Sequence, residues 1–149
     1  MAVRHQNSER VPQIGDVYLM KFGKNDGTGS EQSGLRPGLV FQNNMGNTHS
    51  PNVIILPMTC HLKKANQPTH VVVSASDTGL VKDSMVLCEN PECASKERLD
   101  RYLTTLPDKY MKQVAEAYLL SSSVISFLDV ETLLSVWNKA SMLNTRQSA

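Results

Sequence analysis

The stretch PGLVFQNNMGNTHSPNVIILPM, residues 37–58, holds two short apolar runs with a polar, asparagine-rich passage between them. PGLVFQ (37–42) and NVIILPM (52–58) are rich in Val, Ile and Leu and are flanked by turn residues, so both predict strands. Pro37 suits a strand's first residue, where its missing N–H breaks no ladder. Pro57 points to a bulge or an edge near the end of the second run. NNMGN (43–47) has the chemistry of a turn. A β-rich fold follows from this stretch, and the flanking sequence extends it.

Upstream, DVYLMKF (16–22) predicts another strand, followed by the loop GKNDGTGSEQSG (23–34) with four glycines and no apolar residue. Downstream, the polar LKKANQP (62–68) leads into THVVVSA (69–75), and a DTG turn leads to DSMVLCE (83–89). SKERLDRYL (95–103) predicts a short helical turn or two before a last strand. Strands so short and closely spaced favour a small barrel or a curled sheet. Residues 106–128 carry Tyr110, Val114, Ala117, Leu120, Val124 and Phe127 at helical spacing, with Pro107-Asp108 fitting the first turn. Residues 129–143 repeat the pattern with Val130, Leu133, Leu134, Trp137 and Ala140, and Asp129 as N-cap. This second helix predicts extra core packing, with a partner or dimer surface as the alternative. The expected organisation is one domain, mainly β with C-terminal helices. A polar extension (1–13) precedes the barrel and its helix (14–128), and an extra helix and tail follow (129–149).

A chain of 149 residues fits one domain and needs no metal or disulfide to stabilise its core. No apolar run approaches the ~20 residues of a membrane span. The opening MAVRHQNSERVPQ lacks the apolar centre of a signal peptide, so a cytoplasmic protein is expected, with no membrane partner. Cys60, Cys88 and Cys93 are an odd number and read as free thiols. No CxxC pair occurs, and the adjacent Cys60 and His61 would point to opposite faces of a strand, so no metal site is expected. The net charge of +1 excludes a protein that coats nucleic acid through bulk positive charge.

One charge stands out. Arg36 lies between the glycine-rich loop and a buried strand, where it is either a surface charge or part of a site. GDVYL (15–19), GSEQSGLRPGLVFQNN (29–44), GN..SP (46–51), KK...PTHV (63–71), KDSMVL (82–87) and KERL (96–99) occur in an order and spacing that resembles the MazF/PemK-type toxins. The resemblance spans about residues 14–128. It implies a small SH3-like, CcdB-like barrel with a C-terminal helix, usually a homodimer. It further implies a sequence-specific endoribonuclease of a toxin–antitoxin system that cuts single-stranded RNA without a metal or other cofactor. A cognate antitoxin would block the RNA groove with its C-terminal segment. The family's essential arginine falls on Arg36 and its essential threonine on Thr59; Ser30, Glu31 and Gln32 fall on its RNA-contacting loop. Gln67, Glu89 and Asn90 complete the RNA-binding set that the resemblance implies, Asn90 standing where relatives have a base-reading glutamine.

The chemistry fits these residue types. RNA supplies its own nucleophile, the 2′-hydroxyl, so an enzyme can cut it by aligning that oxygen and stabilising the charge on the phosphate. The resemblance implies 2′,3′-cyclic phosphate and 5′-hydroxyl ends. A guanidinium such as that of Arg36 is planar and permanently charged, so it can grip two phosphate oxygens but is a poor base. Thr59 can donate its hydroxyl to a phosphate oxygen or orient the 2′-OH. Of the histidines, His70 is expected to be structural, His49 and His61 to flank the groove, and His61 to assist proton transfer or base reading. The segment NPECAS (90–95) departs from the family pattern, with Glu92 replacing a positive residue. Two other readings stay open: a CcdB-like gyrase inhibitor, against which the ending TRQSA argues, and a barrel of the same fold that only binds.

Overall fold

Among the described residues, seven strands pair in antiparallel fashion to form one sheet. The structure, a computed structural model, describes residues 10–22 and 34–143. The strands are β1 (Asp16–Phe22), β2 (Gly34–Val40), β3 (Asn52–Thr59), β4 (His70–Val73), β5 (Ser84–Leu87), β6 (Glu92–Ser95) and β7 (Leu99–Thr105). Their order is β4-β5-β3-β2-β1-β7, with β6 paired to β3 beside this path; β4 and β7, its ends, do not pair with each other. The helices are α1 (Asn44–His49), α2 (Ala75–Thr78), α3 (Asp108–Ser121) and α4 (Val130–Leu143).

Strand alternation sends side chains into two apolar clusters. Val17, Leu39, Leu56, Met58 and Val86 meet Tyr110, Val114 and Ala117 of α3 in one cluster. Tyr18, Met20, Val40, Val53, Ile55 and Ala94 form the other. Both faces of the central strands are therefore buried, which explains why 52–58 is almost continuously apolar. Near the chain's start, Asp16 is 1% exposed and accepts from the Gln13 N–H at 2.9 Å, Thr105 Oγ1 at 2.8 Å and Arg10 at 3.1 Å. The Arg10 guanidinium lies 4.0 Å from the centre of the Tyr102 ring.

Several expectations need correction. β2 starts at Gly34, so Pro37 lies inside the strand; it disrupts nothing because pairing with β3 begins only at Gly38↔Pro57. Pro57 marks the point where β3 leaves β2 and takes β5 as partner, through Met58↔Val86 and Thr59↔Met85. The expected turn at 43–47 is most of α1, because the Asn43 side chain caps Gly46 N–H and Asn44 and Asn47 are buried with backbone partners of their own. The departing segment 90–95 contains β6, with Cys93 opposite Ile54, and Glu92 pairs with Arg98 at 2.9 Å.

The helix expected over 106–128 ends at Ser121. Ser121 and Ser122 turn their hydroxyls back onto the Tyr118 carbonyl, at 2.8 and 3.3 Å, and a short 3-10 turn (Ser123–Phe127) follows. Asp129 caps the next helix by accepting from the Thr132 N–H at 2.7 Å. The expected extra core packing is absent: α4 buries no residue, and Trp137 is 76% exposed. The break at Ser122 carries the chain off the apolar cluster that α3 covers.

Candidate active site

Three pieces of backbone converge on one cleft. β2 presents Arg36 opposite Met20 of β1, while the neighbouring Leu19 lies between Pro37 on one side and Arg101 of β7 on the other. β3 ends with Thr59, beside Cys60 and His61. α2 ends at Gly79, whose φ of 77° is left-handed and turns the chain sharply into Leu80, Val81 and Lys82. Arg36, Thr59, Cys60, His61, Lys82 and Arg101 all line this cleft of about 630 Å³, over an apolar floor of Leu19, Leu80 and Leu103.

The electrostatics are one-sided. No Asp or Glu among the described residues lines the cleft. Ion pairs among the described residues join Arg10 to Asp16, His70 to Glu89, Arg98 to Glu92 and Lys109 to Asp77, and none engages Arg36, Lys82 or Arg101. Three cations thus line a partly apolar cavity with no ion-pair partner among the described residues, an arrangement suited to phosphate. Thr59 Oγ1 accepts from the His61 N–H at 3.1 Å, which leaves its own proton free to donate.

The turn that carries Lys82 is anchored from behind. The Asp77 carboxylate receives Lys109 Nζ at 2.8 Å and the Tyr110 hydroxyl at 2.6 Å, and the Asp77 N–H donates to Ser74 Oγ. Hydrogen bonds from Lys109, Tyr110 and Ser74 hold this carboxyl well below the usual carboxylate range. Thr104 Oγ1 donates to the Thr78 carbonyl at 2.6 Å, fastening the end of α2 to β7.

The residues singled out from the sequence fall into separate groups. Arg36, Thr59 and His61 meet in the cleft. Ser30, Glu31 and Gln32 lie outside the described residues. Gln67, Glu89 and Asn90 do not line the cleft and sit near the open end of the β4–β5 pair. There the His70 ring is held between the Lys64 carbonyl at 2.8 Å and Glu89 Oε1 at 2.7 Å. Burial raises the Glu89 carboxyl, but hydrogen bonds from backbone, His70 and Thr69 outweigh it and leave it below the ordinary value. His49 lies in the last turn of α1, away from the cleft lining. Lys82 and Arg101 escaped the sequence reading; a cation in each of two segments far apart carries no signal until the fold joins them. Among the described residues no group of three His, Cys, Asp or Glu side chains could hold a metal.

Comparison with known proteins gives this cleft a context. Residues 13–121 match the family described as PemK-like, MazF-like toxin of type II toxin–antitoxin system. The chain belongs to this family. The MazF-like chain is 41% identical over 117 residues to endoribonuclease EndoA of Bacillus subtilis, covering 78% of this chain and 99% of that protein. It is 45% identical over 103 residues to endoribonuclease MazF of Staphylococcus saprophyticus, covering 69% and 84% of the two chains. Among solved structures, a mycobacterial endoribonuclease in complex with its cognate antitoxin is 26% identical, with a TM-score of 0.60 over 74% of this chain and 93% of that one. MazF of Deinococcus radiodurans shares the fold with a TM-score of 0.62 at 23% identity, over 79% of this chain and 99% of that one. The family match stops at Ser121, where α3 ends, so α4 lies beyond the shared MazF-like fold.

Proposed function

We propose that this toxin is a sequence-specific endoribonuclease that cuts single-stranded RNA without a metal ion, with Arg36 and Thr59 as its catalytic residues. The observation that carries the reading is that both residues line one cleft with two further cations, where among the described residues no ion pair engages these cations and no carboxylate lines the cleft.

The cleft chemistry suits attack by the ribose 2′-oxygen on the adjacent phosphorus. As the bond to the 5′-oxygen lengthens, negative charge grows on the equatorial oxygens, and the guanidinium of Arg36 is planar, charged and able to hold two of them. Thr59 has a hydroxyl proton to donate to the same phosphate. The products are a 2′,3′-cyclic phosphate and a 5′-hydroxyl. DNA, which lacks the 2′-oxygen, is not cut. His61 lines the same cleft and assists proton transfer or base reading; the His61→Ala variant changes the rate or its pH profile if it does.

The partner follows from the same electrostatics. The toxin acts in the cytoplasm as a homodimer, and a cognate antitoxin inserts a C-terminal segment into the cleft; the mycobacterial relative in complex with its antitoxin supports this. No helix among the described residues is long and apolar enough to cross a membrane.

The test is direct. Purified protein is incubated with a mixed-sequence single-stranded RNA in EDTA, beside Arg36→Ala and Thr59→Ala. Discrete cuts with cyclic-phosphate ends are expected, and loss of one charged donor should slow them roughly 100–1,000-fold. Uncut RNA, with inhibition of gyrase or with no activity at all, rejects the nuclease.

A further inference from the structure

We propose that Arg101 and Lys82 form a second phosphate subsite, which holds a phosphodiester next to the one being cut. The inference rests on the endoribonuclease reading and adds what that reading leaves open: how the strand is held on either side of the reacting group.

The pairing of the strands separates the two arginines. Arg36 lies opposite Met20 of β1, whereas Arg101 lies opposite Leu19. The β1–β7 pairing slips by one residue between Leu19, opposite Arg101, and Met20, opposite Leu99, so Arg101 is carried past a bulge on β7 while Arg36 is carried by β2. Their strands flank β1, which puts the two backbones about 10 Å apart at ~4.8 Å per strand spacing. Both residues line the same cleft. Two arginines carried by the strands on either side of β1, lining one cavity whose floor includes Leu19, are placed to take different phosphates.

Lys82 joins the Arg101 side. The bond from Thr104 to the Thr78 carbonyl fixes the end of α2 against β7, and the left-handed Gly79 then directs Leu80, Val81 and Lys82 along the cleft. The neighbouring Asp83 is committed elsewhere, accepting from the Ala75 N–H at 2.7 Å, and no ion pair among the described residues engages Lys82. Val81, 96% exposed on this turn, offers an apolar contact beside Lys82 on the cleft lining. A nucleotide whose phosphate lies between Arg101 and Lys82 would set its base or sugar against Val81.

A cycle combining protein and substrate changes tests the subsite. An oligoribonucleotide that the wild type cuts once is prepared with a neutral methylphosphonate replacing each phosphate near the cut, one at a time. In the wild type, one such replacement beside the cut should raise KM about tenfold, the size of one lost charge-assisted hydrogen bond, with kcat within about twofold. Arg101→Gln should show the same rise on the natural substrate, no further rise with that methylphosphonate, and a salt dependence of log KM shallower by about 0.7. Arg101→Lys should recover part of the loss, and the melting temperature of each variant should match the wild type because the side chain is exposed. Arg36→Gln should stay sensitive to the neighbouring methylphosphonate. If the replacement costs as much in Arg101→Gln as in the wild type, the subsite is wrong while the nuclease stands. A fall in kcat at constant KM would instead put Arg101 on the reacting phosphate and also overturn the inference. A wild type that cuts no RNA rejects the nuclease and the subsite together.

Discussion

Gly38 lies two residues beyond Arg36 on β2, and the packing around it gives a quantitative prediction. A Cβ added there would stand 2.6 Å from Ile55 Cγ2, 2.6 Å from Met20 Sδ and 3.3 Å from Phe22 Cζ. Ile55 and Met20 are fully buried, so neither has solvent to move into. Carbon contacts settle at ~3.5–4.0 Å, so about 1 Å of displacement must be found in β2 or its neighbours. Overpacking of this kind costs roughly 1–3 kcal/mol. At ~2–4 °C per kcal/mol for a chain near 150 residues, Gly38→Ala should melt about 6 °C below the wild type. The same displacement reaches Arg36 along the strand, and a misplacement near 1 Å can cost ~100-fold in rate. Thermal unfolding followed by circular dichroism measures the first effect and RNA cleavage the second. Gly34→Ala is the control for stability, because a Cβ there meets nothing within 4 Å. Gly38→Ala melting at the wild-type temperature would refute the packing argument.

Two further outcomes follow from buried ionisable groups. Burial pushes the Cys88 thiol from 9.0 up to about 12 and the Tyr18 phenol from 10.0 up to about 12. Above pH 9 the unfolded thiol gives up its proton while the folded one keeps it, so stability is complete below pH 9 and falls as the pH rises toward 12. The slope should be about 1.4 kcal/mol per pH unit, and Cys88→Ala should delay its onset to near pH 10, where Tyr18 takes over; unfolding in denaturant across this range measures it. Asp16→Ala leaves the Gln13 N–H and the Thr105 hydroxyl without their acceptor, which should cost about 2–4 kcal/mol in denaturant unfolding. Arg10→Ala should cost less, since the Arg10 side chain is 43% exposed.

How far the sequence could be read depended on where each signal resided. β1 is an apolar run with its own turn residues after it, and its bounds at Asp16 and Phe22 match the reading. β6 has no such signal: Glu-Cys-Ala-Ser contains no β-branched or aromatic residue and is a strand only because β3 offers it an edge. Asparagine-rich 43–47 resembles a turn by composition, yet the Asn43 cap and the buried Asn44 and Asn47 make it helical. Helical spacing ran past Ser121 because periodicity does not register hydroxyls that bond back to the Tyr118 carbonyl. Within the candidate site, Arg36 and Thr59 were legible through motifs, and the fold places both on one cleft. Arg101 and Lys82 needed the β1–β7 register and the α2–β7 bond, neither of which composition or spacing reveals.

The account requires that the substrate, not a residue or a bound water, supply the attacking oxygen. A cleaved oligoribonucleotide resynthesised with a single 2′-deoxyribose on the 5′ side of the cut measures this. The account predicts that cutting at that bond falls below detection while a deoxyribose two positions away leaves it. Undiminished cutting at the deoxy position would contradict it.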